Sequence, residues 1–152
     1  MDNVDSTTRS KMMSNIKSKN TKPEVEIRKK LFARGYRYSL HPKKLEGKPD
    51  IVLRKYNAVI FIHGCFWHMH DCELFVLPKT RTEFWNEKLT GNKVRDERNI
   101  TTLRKNGWRV GIIWECTIKG KKEYEINQIV DLIDDWLKSN VKIFEIPMRG
   151  NP

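Results

Sequence analysis

The stretch DIVLRKYNAVIFIHGCFWHMHDC, residues 50–72, decides how the chain is read. Asp50–Leu53 and Ala58–His63 are short apolar runs separated by a polar turn at Lys55–Asn57, the signature of two adjacent strands. The second run, AVIFIH, is apolar on both faces, as a strand in the middle of a covered sheet would be. Asp50 opens the first strand and His63 ends the second, and antiparallel pairing across a short turn brings those ends together. The ten residues from His63 to Cys72 hold three of the four histidines and two of the three cysteines, beside the Phe66–Trp67 pair.

Working outward, the elements predicted on either side are mostly helices. Thr21 caps a helix that has Pro23 and Glu24 in its first turn, runs to about Arg34 and stops at Gly35. Glu24 there compensates the helix dipole on its own merits. Tyr36–Leu40 alternates as a strand does. Residues 82–106 read as a charged helix broken or kinked around Gly91. WRVGIIW, residues 108–114, reads as another buried strand that delivers Cys116 just past its end. Ile126, Ile129, Val130, Ile133, Trp136 and Leu137 follow helical spacing and define a core-facing helix. Residues 140–152 read as a loose tail. The expectation is one α/β domain over residues 1–152, a central mixed sheet flanked by helices.

The chain has 152 residues, 30 Lys and Arg against 19 Asp and Glu, and a net charge of +11. That balance points to an anionic partner, with nucleic acid first. No apolar run is long enough to span a bilayer, and the first residues lack the apolar core of a signal peptide. The cytoplasm is the expected compartment. Residues 1–20 are basic and polar, and read either as a disordered arm or as a helix that orders on DNA.

Three cysteines in a reducing compartment suit a metal better than a disulfide framework. Cys65, His70, Cys72 and Cys116 make a Cys₃His set, the closed donor shell of structural zinc. His68 also lies between the cysteines, so spacing leaves the choice between His68 and His70 open. The histidine left out is free to act as a base near neutral pH.

TRSKMMSNIKSKNTKPE, GKPDIVL, VIFIHGCFWHMHDC, TRTEFW, VRDERN and GWRVGIIWEC together resemble the very-short-patch-repair (Vsr-type) mismatch endonucleases, in the same order from about residue 7 to residue 120. The resemblance implies a restriction-endonuclease-like fold in a bacterial, nucleoid-associated protein, and a single mismatch has no need of a dimer, so a monomer is expected. It implies double-stranded DNA with a T:G mismatch as substrate, and other mismatch-repair proteins as partners. It assigns catalytic Mg²⁺, two ions, to Asp50 and the main-chain carbonyl of Ile62. It makes His68 the general base oriented by Asp96, with His63 and Glu24 in support. Zinc falls to Cys65, His70, Cys72 and Cys116. Phe66, Trp67 and Trp85 match the residues that wedge into the base stack, Met13 and Ile16 the segment that grips DNA opposite, and Lys88 and Asn92 the base contacts.

One departure from restriction nucleases is plain. The strand after Pro49–Asp50 carries neither the usual acid nor the usual lysine, and the Vsr-type enzymes share this histidine-based variant. Ile62 stands where some relatives have threonine, a harmless change if only its carbonyl is used. Three other readings stand beside this one: a related nuclease cutting another lesion or an unmodified sequence, a non-catalytic zinc DNA-binding module, and a hydrolase whose zinc is itself catalytic. A closed Cys₃His shell disfavours the last.

Overall fold

The computed structural model describes residues 21–119 and 125–147. Met13, Ile16 and the rest of the basic segment 1–20 lie outside the described residues. Among the described residues, five strands form one mixed sheet in chain order, β1 (Ser39–Leu40), β2 (Ile51–Leu53), β3 (Ala58–His63), β4 (Arg109–Trp114) and β5 (Ile143–Ile146). β1, β2 and β3 run antiparallel, whereas β3, β4 and β5 run parallel. The helices among the described residues are α1 (Lys22–Ala33), α2 (Thr82–Lys105), the single turn α3 (Cys116–Lys119) and α4 (Ile126–Leu137).

Strand alternation divides the core into two layers. Ile51, Leu53, Ala58, Ile60 and Ile113 pack with Ile27 and Leu31 of α1 and with Ile129, Ile133 and Trp136 of α4. Val52, Val59, Phe61, Val110, Ile112 and Trp114 face the other way, with Leu103 of α2. β3 is therefore covered on both faces, which is why its sequence shows no polar alternation. Helix α1 starts where Thr21 accepts the Glu24 N–H at 3.4 Å and ends before Gly35, whose φ of +96° suits glycine.

Three expectations need correction. Helix α2 is continuous through Gly91, because one interior glycine costs only about 1 kcal/mol against alanine and does not by itself interrupt a 24-residue helix. The first strand is two residues long rather than the five of Tyr36–Leu40: Tyr36 is drawn into the α1–α4 core instead, where its hydroxyl donates to Asp134. The stretch after residue 140 is not a loose tail as far as residue 147, because Ile143–Ile146 adds a parallel strand to β4, with Ile146 buried. A four-residue edge strand gives too little periodicity to register in sequence.

The α4–β5 corner is held from beneath by Arg109. Its guanidinium donates to the main-chain carbonyls of Trp136, Leu137, Ser139 and Val141, filling acceptors that the helix end leaves open. Gly111 lies under the same helix. A Cβ there would stand 3.0 Å from Trp136 Cζ3, and the indole cannot retreat: its Nε1–H donates to Val141 O at 2.9 Å and its ring stacks on Phe144. Gly111→Ala is expected to destabilise by about 1–3 kcal/mol through overpacking, seen as an earlier urea midpoint with an unchanged slope. An unaltered midpoint would show that the contact is soft.

Candidate active site

Catalytic candidates gather at the C-terminal ends of the parallel pair β3 and β4, where open α/β sheets place their sites. Asp50, immediately before β2, is buried, and its Oδ2 accepts the Ile62 N–H at 2.6 Å. Glu24 from α1 is 2% exposed and takes the Arg28 guanidinium at 2.8 Å. Between these carboxylates stands His41, with Nε2 3.2 Å from Glu24 Oε2 and 3.5 Å from Asp50 Oδ1. Burial, with the Glu24 carboxylate beside it, pushes the Asp50 pKa up to about 8 against the opposing Ile62 hydrogen bond. A divalent cation would relieve that charge crowding, so this donor set fits a hard metal ion.

The second cluster lies across the Ile62–His63 peptide. His63 shares the α2 face with Phe61, and its ring stacks on His68 with centroids 3.8 Å apart. His68 Nδ1 is hydrogen-bonded to Asp96 of α2. A carboxylate can only accept from a neutral imidazole, so Nδ1 carries the proton and Nε2 keeps a lone pair. His63 is buried, and the cost of burying its charge, reinforced by His68 and His70, holds its pKa well below the ordinary imidazole value.

The third cluster follows from strand register. His63 pairs with Trp114, so Cys65 and Cys116 leave the parallel strands side by side, each two residues further on. The Cys116 N–H donates to Cys65 Sγ at 3.2 Å, and Cys116 Sγ lies 3.5 Å from His70 Nδ1. One donor atom from each of Cys65, His70, Cys72 and Cys116 lies within 4.8 Å of the others. Tetrahedral donors about 2.3 Å from a zinc ion stand about 3.8 Å apart, so the set fits such an ion with little rearrangement. His70, not His68, joins the sulfurs, and its ring is fixed by stacking on Trp114.

Phe66, Trp67 and Trp85 form one edge-to-face and tilted cluster with centroids 5.1–6.0 Å apart. All three are half-buried, whereas Trp114 and Trp136 are buried. Lys88 is exposed on α2. The Asn92 amide donates to the Trp67 carbonyl at 3.1 Å, which ties the aromatic loop to that helix. His41 is the residue that sequence reasoning missed. It was the one histidine outside residues 63–72, and only the β1–β2 pairing brings it to Asp50.

A family model described as "DNA mismatch endonuclease Vsr" matches residues 1–74. The DNA mismatch endonuclease Vsr of Escherichia coli is 41% identical over 146 residues, 96% of this chain and 94% of that protein. A type II nicking enzyme of Neisseria meningitidis is 50% identical over 84% of this chain and 92% of its own. A second type II nicking enzyme, from Xanthomonas oryzae, is 43% identical over 79% of this chain and 90% of its own.

Proposed function

Because the chain belongs to the Vsr family of DNA mismatch endonucleases, we propose that this DNA endonuclease nicks the thymine strand of a duplex on the 5′ side of the T in a T:G mismatch. Such mismatches arise when 5-methylcytosine deaminates. The observation that carries the reading is the meeting of a base–orienter pair, His68 and Asp96, with a buried acidic pocket across one peptide bond. A module that only binds DNA has no need of either. The domain is a single one with a restriction-endonuclease-like fold, acting as a monomer in the bacterial cytoplasm at the nucleoid, alongside other mismatch-repair proteins.

Asp50 and the Ile62 carbonyl would hold catalytic Mg²⁺, and Glu24 would hold a water on it rather than ligate it directly. When bound, two such ions would neutralise charge on the scissile phosphate and on the departing 3′ oxygen. His68 Nε2 takes the proton of the attacking water as its oxygen bonds to phosphorus and the P–O3′ bond breaks. Asp96 fixes the tautomer and stabilises the imidazolium that forms. His63, stacked beneath, keeps the ring plane in place. Cys65, His70, Cys72 and Cys116 would hold one structural Zn²⁺, and four protein donors would leave no open position on it for hydrolysis.

Phe66, Trp67 and Trp85 enter the stack at the mismatch, where unstacking costs least. Met13 and Ile16 grip the opposite side of the duplex. Lys88 reaches a base edge. Asn92 acts first by holding Trp67, and then as a base contact. The deciding assay sets a duplex with one T:G mismatch against its T:A control, with and without Mg²⁺. The expected product is a single nick 5′ of the mispaired T, formed only with Mg²⁺. Equal cutting of both duplexes would refute mismatch specificity.

A further inference from the structure

The established and proposed roles leave His41 without a task, yet it stands between the two carboxylates of the acidic pocket. Its Nε2 is shut off from water and makes no hydrogen bond, although Glu24 Oε2 and Asp50 Oδ1 lie 3.2 and 3.5 Å away. A buried imidazole nitrogen left in this state is costly. The backbone also holds His41 at φ +45°, in the left-handed region, directly before Pro42. That conformation carries strain for a residue other than glycine. It is pinned by the His41 N–H, which donates to the Asp50 carbonyl at 3.4 Å and extends the β1–β2 ladder.

We propose that His41 Nε2 is a direct ligand of the divalent cation at Asp50, making the catalytic metal site a mixed nitrogen–oxygen one. The proposal rests on the reading that Asp50 holds that ion. Neighbouring donors about 2.1 Å from an octahedral ion stand about 3 Å apart; His41 Nε2 already lies 3.5 Å from Asp50 Oδ1, near enough to share an ion with it, and Glu24 Oε2 at 3.2 Å is placed to hold a water on that ion. An imidazole donor favours Mn²⁺ over Mg²⁺, because Mg²⁺ prefers oxygen throughout. The pocket therefore binds Mn²⁺ more tightly than an all-oxygen site would, and His41 is the cause.

The test uses the full-length, zinc-loaded protein without DNA, titrated with Mn²⁺ and followed by electron paramagnetic resonance. Wild type is expected to show ¹⁴N coupling to bound Mn²⁺. His41→Ala should lose that coupling and bind Mn²⁺ about tenfold or more weakly, within the range seen when a metal's supporting groups are removed. His68→Ala should keep the coupling, which excludes the neighbouring imidazole pair as its source. His41→Gln, which preserves length and polarity, should also lose it, so a folding defect in His41→Ala leaves a second answer. Persistent ¹⁴N coupling or unchanged Mn²⁺ affinity without His41 would overturn the proposal. If Asp50→Asn abolishes Mn²⁺ binding while wild type shows no ¹⁴N coupling, His41 alone is refuted. If Asp50→Asn binds Mn²⁺ as wild type does, the assignment of the ion to Asp50 fails as well.

Discussion

Asp50→Asn should bind mismatched DNA as wild type does and nick it about 10³-fold or more slowly, since a metal clamp supplies several kcal/mol and each 1.36 kcal/mol is a factor of ten. Asparagine preserves shape, and its carbonyl can still accept the Ile62 N–H. What is lost is the negative charge that would hold the cation. Single-turnover nicking with saturating enzyme isolates chemistry from binding, and a gel-shift titration measures affinity. A rate within tenfold of wild type would remove Asp50 from the metal site.

The same variant should gain stability where the wild type loses it. Burial and Glu24 raise the Asp50 pKa to about 8 in the folded chain. An unfolded chain releases that proton near pH 4. The folded state therefore binds the proton more tightly, and the resulting stability is full below about pH 4 and is lost as pH rises through about 8. In magnesium-free buffer, Asp50→Asn is expected to outlast wild type at pH 8–9 by an amount on the order of a few kcal/mol. Added Mg²⁺ should narrow that gap by stabilising wild type alone. A substitution that abolishes activity while raising the melting temperature is the expected mark of a carboxylate kept for catalysis against the interest of the fold.

The sequence was most legible where periodicity was long. α4 follows from six apolar residues at helical spacing, and β3 from an apolar run covered on both faces. The approach of Asp50 to the end of β3 was readable too, because a short turn between adjacent strands fixes which ends meet, although Asp50 meets the Ile62 N–H and His63 joins His68 in a separate cluster. β1 and β5 were not readable as they stand: two and four residues at the edges of a sheet take their conformation from the neighbour they pair with. His41 was lost with β1, since its place beside Asp50 depends on that pairing. The choice between His68 and His70 shows a different limit. Spacing offered both, and the parallel register decides it. Cys116 arrives beside Cys65 and takes the His70 ring stacked on Trp114, leaving His68 to turn toward α2 and Asp96.

That register is also why Cys116→Ser should be the most damaging substitution to the fold. The other three candidate donors, Cys65, His70 and Cys72, all belong to residues 65–72, so Cys116 is the one through which a bound ion would tie this loop to β4. Burial raises the Cys65 thiol and holds Cys116 at about 11. Without a metal both sulfurs are protonated at neutral pH, and zinc binding must expel those protons. Structural zinc contributes on the order of 10 kcal/mol in small peptides, and losing part of that should lower the melting temperature by about 10 °C or more in a chain of this size. Wild type should carry one zinc per chain by elemental analysis, and Cys116→Ser should carry well under one. Nicking should fall with the zinc, because His68, Phe66 and Trp67 ride on the loop that such an ion would pin. Mg²⁺ added to zinc-stripped wild type should not restore cutting until zinc is returned, whereas Asp50→Asn should keep its full zinc and remain inactive with both ions. Should pure wild type hold no stoichiometric zinc, or Cys116→Ser melt with it, the loop is held by packing alone and the separation of a scaffold metal from a catalytic one fails.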